Sequence, residues 1–590
     1  MDRVRRNEDY AMISRLFFKL LPVQVAIVAM GSINSIVDGV VAARFIDAST
    51  VGVVGLYYTV ARILEAVGAV LLGGVSVLSG KSLGRGQIDE TRGICTLGMV
   101  LATLFGAFLT IVSFVMPEIV ARMLGANDLL LEPLSAYIVG YAIGIIPQLL
   151  AQQFAACLQL ERKENLAHLG ITVMIVMNVV LDILFVSVMN MGVWGLALST
   201  SLANWAYLIV LVQHYFSKKI QLKPSLSLIP VKETMPLLRI GFPGALLVAG
   251  LAARSLIINR LLLSYAGNDG LSALSAFCMV LGLIYAVAIG AGSLVRMLSS
   301  VYLGEENREG LRSLIRFSLT RVLPIMLAVG LLVVLLSSML ASIFFPDRST
   351  EVYRMTKELF FIFGFAAPIS LPCLIFSNYF QAAGHRLFTN MISLVDGFFS
   401  GAIPALLLTP MIGAMGVWLS YDIGLLLTLI IDILYPIIML RRIPKQLDEW
   451  LLLPSEFGDR NGLIFHIWDE QAVCQVAEKV QDFCDSNGIA HKTGAHAGLC
   501  MEEMSGNIVR HGFIADKKNH MVEVRVSIRK EGVTLRIKDD CIPFDPKEWY
   551  EMTSVAEDPA ANVGIRLVCA LAKDINYQNL LGLNVLTIQL

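Results

Sequence analysis

Charge is scarce in this sequence of 590 residues, since Asp, Glu, Lys and Arg make up only 16% of it, against about 25% in an average soluble protein. The formal net charge of -1 excludes a nucleic-acid-binding protein that depends on an excess of positive charge. The nine cysteines form no CxxC pair, so neither a zinc site nor a disulfide framework is predicted. No GxxxxGK[ST] phosphate loop occurs, which argues against a P-loop ATPase.

Apolar residues take the place of charge and make up 56% of the chain. From Leu16 to Leu440, about twelve apolar segments follow one another, and each has the length of about 20 residues that crosses a bilayer core. Because a helix satisfies its own backbone hydrogen bonds in lipid, we predict an all-α membrane bundle of twelve transmembrane helices over residues 1–445. The first segment is too long for a signal peptide and lacks a cleavage site, so we expect it to be the first membrane helix.

Basic residues in the short loops predict the orientation of this bundle. Roughly twenty Lys and Arg residues lie on one side of the twelve-helix arrangement and about five on the other. Since basic loops face the cytoplasm, we predict a multi-pass protein of the cytoplasmic membrane with both termini in the cytoplasm.

The membrane region also contains an internal repeat. SVLSGKSLGRGQ in the first half aligns with RMLSSVYLGEEN in the second, so that Leu83-Gly84 matches Leu303-Gly304. Further along, MGVWGLALS matches IGAMGVWLS at nearly the same offset. Two six-helix repeats, at about 10–220 and 230–440, are typical of transporters whose halves move about a central cavity.

Ionisable residues within the membrane segments are candidates for function, because burying them in lipid is costly. Asp38 and Asp182 have no basic partner nearby in sequence, and Asn178 precedes Asp182 by one helical turn. With the hydroxyl of Thr200, they offer oxygen ligands that suit a small cation, while two close carboxylates also favour proton exchange. We therefore predict a cation-binding or coupling site for Na⁺ or H⁺. The alternative is a purely structural role as buried links between helices.

Two motifs connect the membrane region with a known family. LLP followed by SIVDGVVAARF, and MNVVLDILF followed by WGLALST, resemble the first, fifth and sixth helices of the multidrug and toxic-compound extrusion (MATE) family. In the archaeal and DinF-like branch, the resemblance places the cation site of the amino-terminal lobe on Asp38, Asn178, Asp182 and Thr200. It implies export of organic or xenobiotic compounds against entry of Na⁺ or H⁺, by two lobes that alternate access.

Other charged residues in the membrane are less specific. Arg62 and Glu65, three residues apart on one helix face, favour an ion pair over a transport role. Asp396 and Arg296 are candidates for a pair across helices. The acidic site that the other branch of the family has in its carboxyl-terminal lobe has no counterpart on helix 7, which carries Arg254 instead.

The composition changes after Arg441. RRIPKQLDEWLLLPSEFGDR contains two prolines and mixed charge, which predicts a linker at 446–458 and a separate domain at 459–590. The strands VEVRVSIR and VTLRIKDD, with amphipathic helices around them, predict an α/β domain of the α+β sandwich type. One of those helices carries Glu503 and Asn507 one turn apart, where a general base and an amide that holds Mg²⁺ against phosphates can act together.

Three segments of this domain are similar to the boxes of GHKL-type ATPases, in particular the anti-sigma-factor serine kinase branch. EEMSGNIVRHG resembles ExxxNxxxHG, IKDDCIPFDP resembles DxGxPFDP, and NVGIRLV resembles GxGLxLV. The resemblance implies ATP and Mg²⁺ as cofactors. It assigns Glu503 as general base, Asn507 to nucleotide-bound Mg²⁺, Asp539 to adenine and Gly564 to the phosphate loop.

Two positions depart from those boxes, since Cys541 and Asn562 stand where the pattern has glycine. A side chain there hinders close approach of the backbone to phosphate, so a domain that docks a partner without turnover is the alternative to a catalytic one.

Three functions follow from these observations. The preferred hypothesis is a cation-coupled antiporter for an organic small molecule, embedded in the lipid bilayer, with a cytoplasmic ATP-binding regulatory domain. A membrane-anchored serine kinase or sensor acting on a cytosolic antagonist protein is the second. A lipid-precursor flippase, which Arg254, Arg260 and Arg296 would favour, is the third.

Overall fold

The computed structural model describes residues 14–590, apart from residues 31, 34–47, 125, 127, 162, 217–219, 456, 459–461, 515–519, 530–531 and 554–562. Eleven helices in this described part are long and apolar enough to cross a membrane. Residues 14–30 are also helical, at the position of the first predicted membrane segment. The predicted helical membrane bundle is thereby confirmed.

The bundle consists of long helices with short connections, in two halves of similar order. The first half, called the first lobe, contains α1 (residues 14–30), α2 (Ala48–Gly84), α3 (Ile88–Val115), α4 (Pro117–Met123), α5 (Asp128–Leu160), α6 (Glu164–Asp182) and α7 (Gly192–Val212). The second lobe contains α8 (Thr234–Tyr265), α9 (Gly267–Gly304), α10 (Arg308–Phe317), α11 (Leu323–Phe344), α12 (Glu351–Ala366), α13 (Ser370–Ala383), α14 (Arg386–Leu394), α15 (Ser400–Ile412) and α16 (Ala414–Leu440).

Several helices run on through π-helical turns, where the backbone takes up an extra residue. These turns are Ile183–Val188 after α6, Ser318–Val322 between α10 and α11, and Val395–Phe399 between α14 and α15. Because the turns continue the helix, α10 with α11 and α14 with α15 each form one span. The helices α12 and α13 also form one span, joined by the 3₁₀ turn Ala367–Ile369.

The two lobes touch where the repeated Leu-Gly dipeptides occur. A side chain on Gly84 of α2 would overlap the carbonyl of Val301 on α9, and one on Gly304 would overlap the carbonyl of Lys81. Glycine is required at both positions, because any Cβ would separate the two backbones. The repeat detected in the sequence therefore marks a reciprocal contact that closes this end of the interface between the lobes.

The chain then passes through α17 (Leu447–Trp450) into a two-layer domain. Its strands are β1 (Gly462–Ile467), β2 (Val522–Arg529), β3 (Gly532–Asp539), β4 (Asp574–Leu580) and β5 (Leu583–Gln589), in the antiparallel order β1-β2-β3-β5-β4. The helices α18 (Glu470–Ser486), α19 (His491–Asn507), α20 (Pro546–Thr553) and α21 (Val563–Leu571) complete it. This is the predicted α+β sandwich.

One face of the sheet forms the core of this domain. Val524 and Leu535 point into it and pack with Met501 and Met504 of α19. Strand β4 was not predicted, because its sequence DINYQNL is rich in polar residues with low strand propensity. A turn with positive φ at Leu581 and Gly582 folds β4 against β5.

Candidate functional site

A buried polar cluster in the first lobe contains three of the four residues predicted for the cation site. The side chains of Asn178 and Asp182 on α6 are completely buried. Asn178 Nδ2 donates to Thr200 Oγ1 on α7 at 3.2 Å, and the hydroxyl of Ser199 donates to Asp182 Oδ1. Asp182 is the last residue of α6 before the π-helical turn, and such turns occur frequently at functional sites.

One acceptor oxygen remains available among the described residues of this cluster. Asn178 Oδ1 is buried and accepts no hydrogen bond from the described residues. Asp38 lies outside the residues that the structure describes, so its place in the site stays a prediction. Ser199 was not predicted, because consecutive residues on a helix point about 100° apart. Only the rotation of α7 about its axis shows that both hydroxyls reach α6.

Two pairs of charged residues elsewhere in the bundle were also predicted from the sequence. Arg62 Nη1 lies 2.6 Å from Glu65 Oε2, which confirms the predicted ion pair. The pairing of Asp396 with Arg296 is wrong, because Arg296 Nη1 donates to Asn378 Oδ1 at 2.9 Å. Their helices place the two side chains toward different neighbours, which sequence spacing does not reveal.

In the carboxyl-terminal domain, the predicted general base lies beside the predicted phosphate loop. Glu503 and Asn507 occupy the last turn and a half of α19, which packs against α21. A side chain on Gly564, near the start of α21, would overlap the Glu503 carboxylate. The packing of α19 on α21 thus brings two of the predicted nucleotide-site residues into contact, while Asn562 lies outside the described residues.

Asp539, predicted to contact adenine, is held at the end of β3 by a hydrogen-bond network. Its Oδ1 accepts from Cys541 N at 2.9 Å and from Asn584 Nδ2 at 2.6 Å. Tyr577 OH in turn donates to Asn584 Oδ1 at 2.8 Å. Burial raises the pKa of the Asp539 carboxyl above its ordinary value, against the opposing effect of the bonds from Asn584 and Cys541. Asn584 and Tyr577 had no signal in the sequence, since both lie in strands outside the recognised boxes.

A group of possible metal ligands lies next to this network. His520, Asp540 and Cys541 bring their ligand atoms within 4.8 Å of one another. However, Asp540 already pairs with Arg15 Nη1 at 2.8 Å and with His520 Nδ1 at 3.0 Å. The carboxylate is thus already balanced by the Arg15 guanidinium, and these residues do not fit a metal centre. The residue predicted to act on Mg²⁺ is Asn507, through the nucleotide.

The outer face of the sheet docks on the second lobe through a buried ion pair. Lys538 Nζ on β3 lies 2.6 Å from Glu305 Oε2, with side chains only 6% and 7% exposed. Arg525 on β2 donates to the carbonyls of Glu305 and Glu306, both at 2.9 Å. Burial alone would raise the pKa of the Glu305 carboxyl, but Lys538, Arg536 and Arg525 hold it below its ordinary value.

The same face of the domain also docks on the first lobe. Arg536 Nη2 donates to Gly84 O at 3.2 Å, and Asn576 Nδ2 donates to Gly86 O at 3.0 Å. At the β4–β5 turn, Leu581 N donates to Leu160 O at 2.7 Å, and the Leu581 side chain joins the buried core of the bundle. We call Arg525, Arg536, Lys538 and Asn576 the docking face. It bridges the two lobes beside the Gly84–Gly304 contact.

Comparison with known proteins identifies both parts of the chain. The MatE family model matches residues 25–187 and 243–407, one match in each lobe. A model described as histidine kinase-like ATPase domain matches residues 469–590. The two matches in the bundle agree with the internal repeat seen in the sequence.

Curated relatives and solved structures resemble the membrane part. The multidrug export protein MepA of Staphylococcus saprophyticus is 23% identical over 249 residues, which are 40% of this chain and 54% of that protein. Multidrug and toxin extrusion protein 2 of Oryctolagus cuniculus is 24% identical over 291 residues, 48% of this chain and 46% of that protein. The chain therefore spans about half the length of the curated relatives it matches.

Among solved structures, the outward-facing conformation of a multidrug resistance MATE family transporter is 19% identical, with a TM-score of 0.66 over 70% of this chain and 93% of that chain. A MOP superfamily transporter from Pyrococcus furiosus is 18% identical, with a TM-score of 0.65 over 70% and 93%. These structures share the fold of the bundle. With family matches in both lobes, the chain belongs to the MatE family, and it carries a histidine kinase-like ATPase domain at residues 469–590.

Proposed function

We propose that the protein exports organic compounds across the cytoplasmic membrane in exchange for Na⁺ or H⁺, with both termini in the cytoplasm. The observation that supports the exchange is the buried cluster of Asp182, Asn178, Ser199 and Thr200. A carboxylate inside a membrane is stabilised by binding a cation or a proton, so occupancy of this cluster can bias the arrangement of the two lobes. The names of the two curated relatives support an organic, multidrug-type substrate.

The test is dye transport by the purified protein in liposomes. A pH gradient and a Na⁺ gradient are imposed separately, with and without ATP, and uptake of ethidium is followed by fluorescence. We expect one of the two gradients to drive uptake without ATP. Uptake driven by ATP alone would contradict the proposal. Ethidium-independent scrambling of a labelled lipid would instead favour the flippase, although Arg254 and Arg296 already donate to protein oxygens.

We further propose that the carboxyl-terminal domain binds ATP with Mg²⁺ and regulates transport. Asn507 would hold nucleotide-bound Mg²⁺, Asp539 the adenine, and Gly564 the phosphates next to Glu503. The contact of Glu503 with Gly564 and the buried carboxyl of Asp539 support this assignment.

The docking face supports regulation of transport over an independent kinase. Asp539 directly follows Lys538 on β3, and successive side chains of a strand point to opposite faces of the sheet. Asp539 and Lys538 thus share one strand end but face opposite sides of the sheet. We expect a movement of this strand end on binding of adenine to be passed to Lys538. Phosphate transfer to a cytosolic antagonist protein remains the competing activity, and it would require turnover that docking alone does not.

Replacing Asn507 by Ala should weaken ATP binding about tenfold or more, because loss of one Mg²⁺ contact worth at least about 1.4 kcal/mol has that effect. The measurement is titration calorimetry of the full-length protein in detergent with Mg²⁺ present. Asn487→Ala, at an exposed position after α18, is the matched control and should bind as the unmodified protein does. Equal affinities for all three proteins would reject the nucleotide role of Asn507.

A further inference from the structure

The second lobe contains a buried polar cluster of its own, between its fifth and sixth membrane spans. Asp396 lies in the π-helical turn Val395–Phe399, just as Asp182 lies at the π-helical turn of the first lobe. Thr428 on α16 donates to Asp396 Oδ1 at 3.3 Å, and Asp432 follows Thr428 by one helical turn. Each lobe thus places an acid at a π-helical turn of its fifth span, facing a hydroxyl of its sixth.

Asp432 has the most demanding environment in this cluster. The residue is 2% exposed, and neither of its carboxylate oxygens has a hydrogen-bond partner among the described residues. An isolated ionised carboxylate is so costly in an apolar interior that the group takes up a proton or a cation instead. No basic side chain is bonded to Asp432 in the described part of the chain. Its carboxyl group therefore requires a proton or a cation.

The titratable groups around Asp432 come from several packed helices. They are Asp396 and, on α13, Cys373, while Arg254 on α8 and Tyr285 on α9 lie near Asp396. Arg254 Nη1 donates to the backbone carbonyl of Asp396 at 3.3 Å and lies 5.3 Å from the ring centroid of Tyr421. His385 Nδ1 is bonded to Tyr435 OH at 2.8 Å. Arg254 and His385 are thus bonded to groups other than the Asp432 carboxyl group.

We propose that Asp432 is a proton site of the second lobe, whose buried carboxyl group carries a proton near Asp396, the acid bonded to Thr428. Two neighbouring carboxylates in a low-dielectric interior repel each other, so that one of them takes up a proton. A metal cation of the hard type gathers about six oxygen ligands, whereas the contacts of the described residues join only Thr428 to an acid of this cluster. The site differs in position from the first-lobe cluster and does not depend on the export function.

Infrared difference spectroscopy of the full-length protein in lipid tests this site without a transport substrate. In Na⁺-free buffer, a pH titration should show the C=O stretch of a buried protonated carboxylic acid that disappears as the pH rises. Asp432→Asn should lose this band, and Asp396→Asn should lose or shift it. Asp269→Asn, at an exposed position of α9, and Asp182→Asn should both keep it.

The outcomes separate the alternatives. Loss of the band in either second-lobe variant that still elutes as a folded protein supports the proposal, so one variant suffices if the other fails to fold. A band that persists in both variants overturns it. A band that Na⁺ removes at constant pH from the unmodified protein also overturns it, in favour of a metal-cation site. Because Asp182→Asn tests the first lobe, failure of the export proposal leaves this result unaffected.

Discussion

Replacing Asp182 by Asn is expected to abolish gradient-driven transport while the protein remains folded. The amide is isosteric with the carboxyl group and can still accept the hydrogen bond from Ser199, so the contact between α6 and α7 is retained. The negative charge that holds the cation is lost. Removing one partner of a buried charged pair costs about 3 kcal/mol or more, which corresponds to cation binding weakened about 100-fold and leaves transport uncoupled from the gradient.

The measurement is ethidium uptake into liposomes under whichever ion gradient drives the unmodified protein. Asp269→Asn serves as the matched control, since it removes an equal charge at an exposed position of α9. Ser199→Ala should show a smaller loss, because it removes one hydrogen bond worth about 1 kcal/mol and keeps the charge. Uptake at the unmodified rate in a correctly inserted Asp182→Asn protein would refute the coupling role of the cluster.

Reversing the charge of Lys538 is expected to release the ATPase-like domain from the membrane bundle. In Lys538→Glu, two carboxylates would face each other where a pair at 2.6 Å is now buried. The loss of about 3 to 5 kcal/mol that accompanies a broken buried pair would shift docking toward release by about 100-fold or more. Because the docking face bridges both lobes, its release should also ease opening at the Gly84–Gly304 end and raise the transport rate.

Hydrogen exchange of residues 300–310 and protease cleavage within 446–458 measure this release. Both should increase in Lys538→Glu and return toward the unmodified level in the double variant with Glu305→Lys. Lys479→Glu, exposed on α18, should change neither. The lowered pKa of Glu305 means that docking is stabilised above the ordinary glutamate pKa and weakens as the pH falls through the lowered value. Unchanged protection in Lys538→Glu would show that the ion pair does not hold the domain.

The candidate sites were predictable where their residues are close in sequence. Asn178 and Asp182 are one turn apart on a single helix, and the boxes around Glu503, Asn507 and Asp539 each occupy one segment. Ser199 and Asn584 could not be predicted, because their roles depend on which neighbouring element they face. The proposed pairing of Asp396 with Arg296 was wrong for the same reason.

The sequence by itself determined the membrane helices, the duplication of the bundle and the class of the carboxyl-terminal domain. Hydropathy and motif spacing are local properties, and they survive any change in how the elements pack. Only the tertiary structure decided that Thr428 faces Asp396 and that Lys538 meets Glu305, which lies 233 positions earlier in the chain. Such contacts depend on how each helix is rotated about its axis, how far it is shifted along its neighbours, and which face of the sheet points outward. No single segment of the sequence determines these properties by itself.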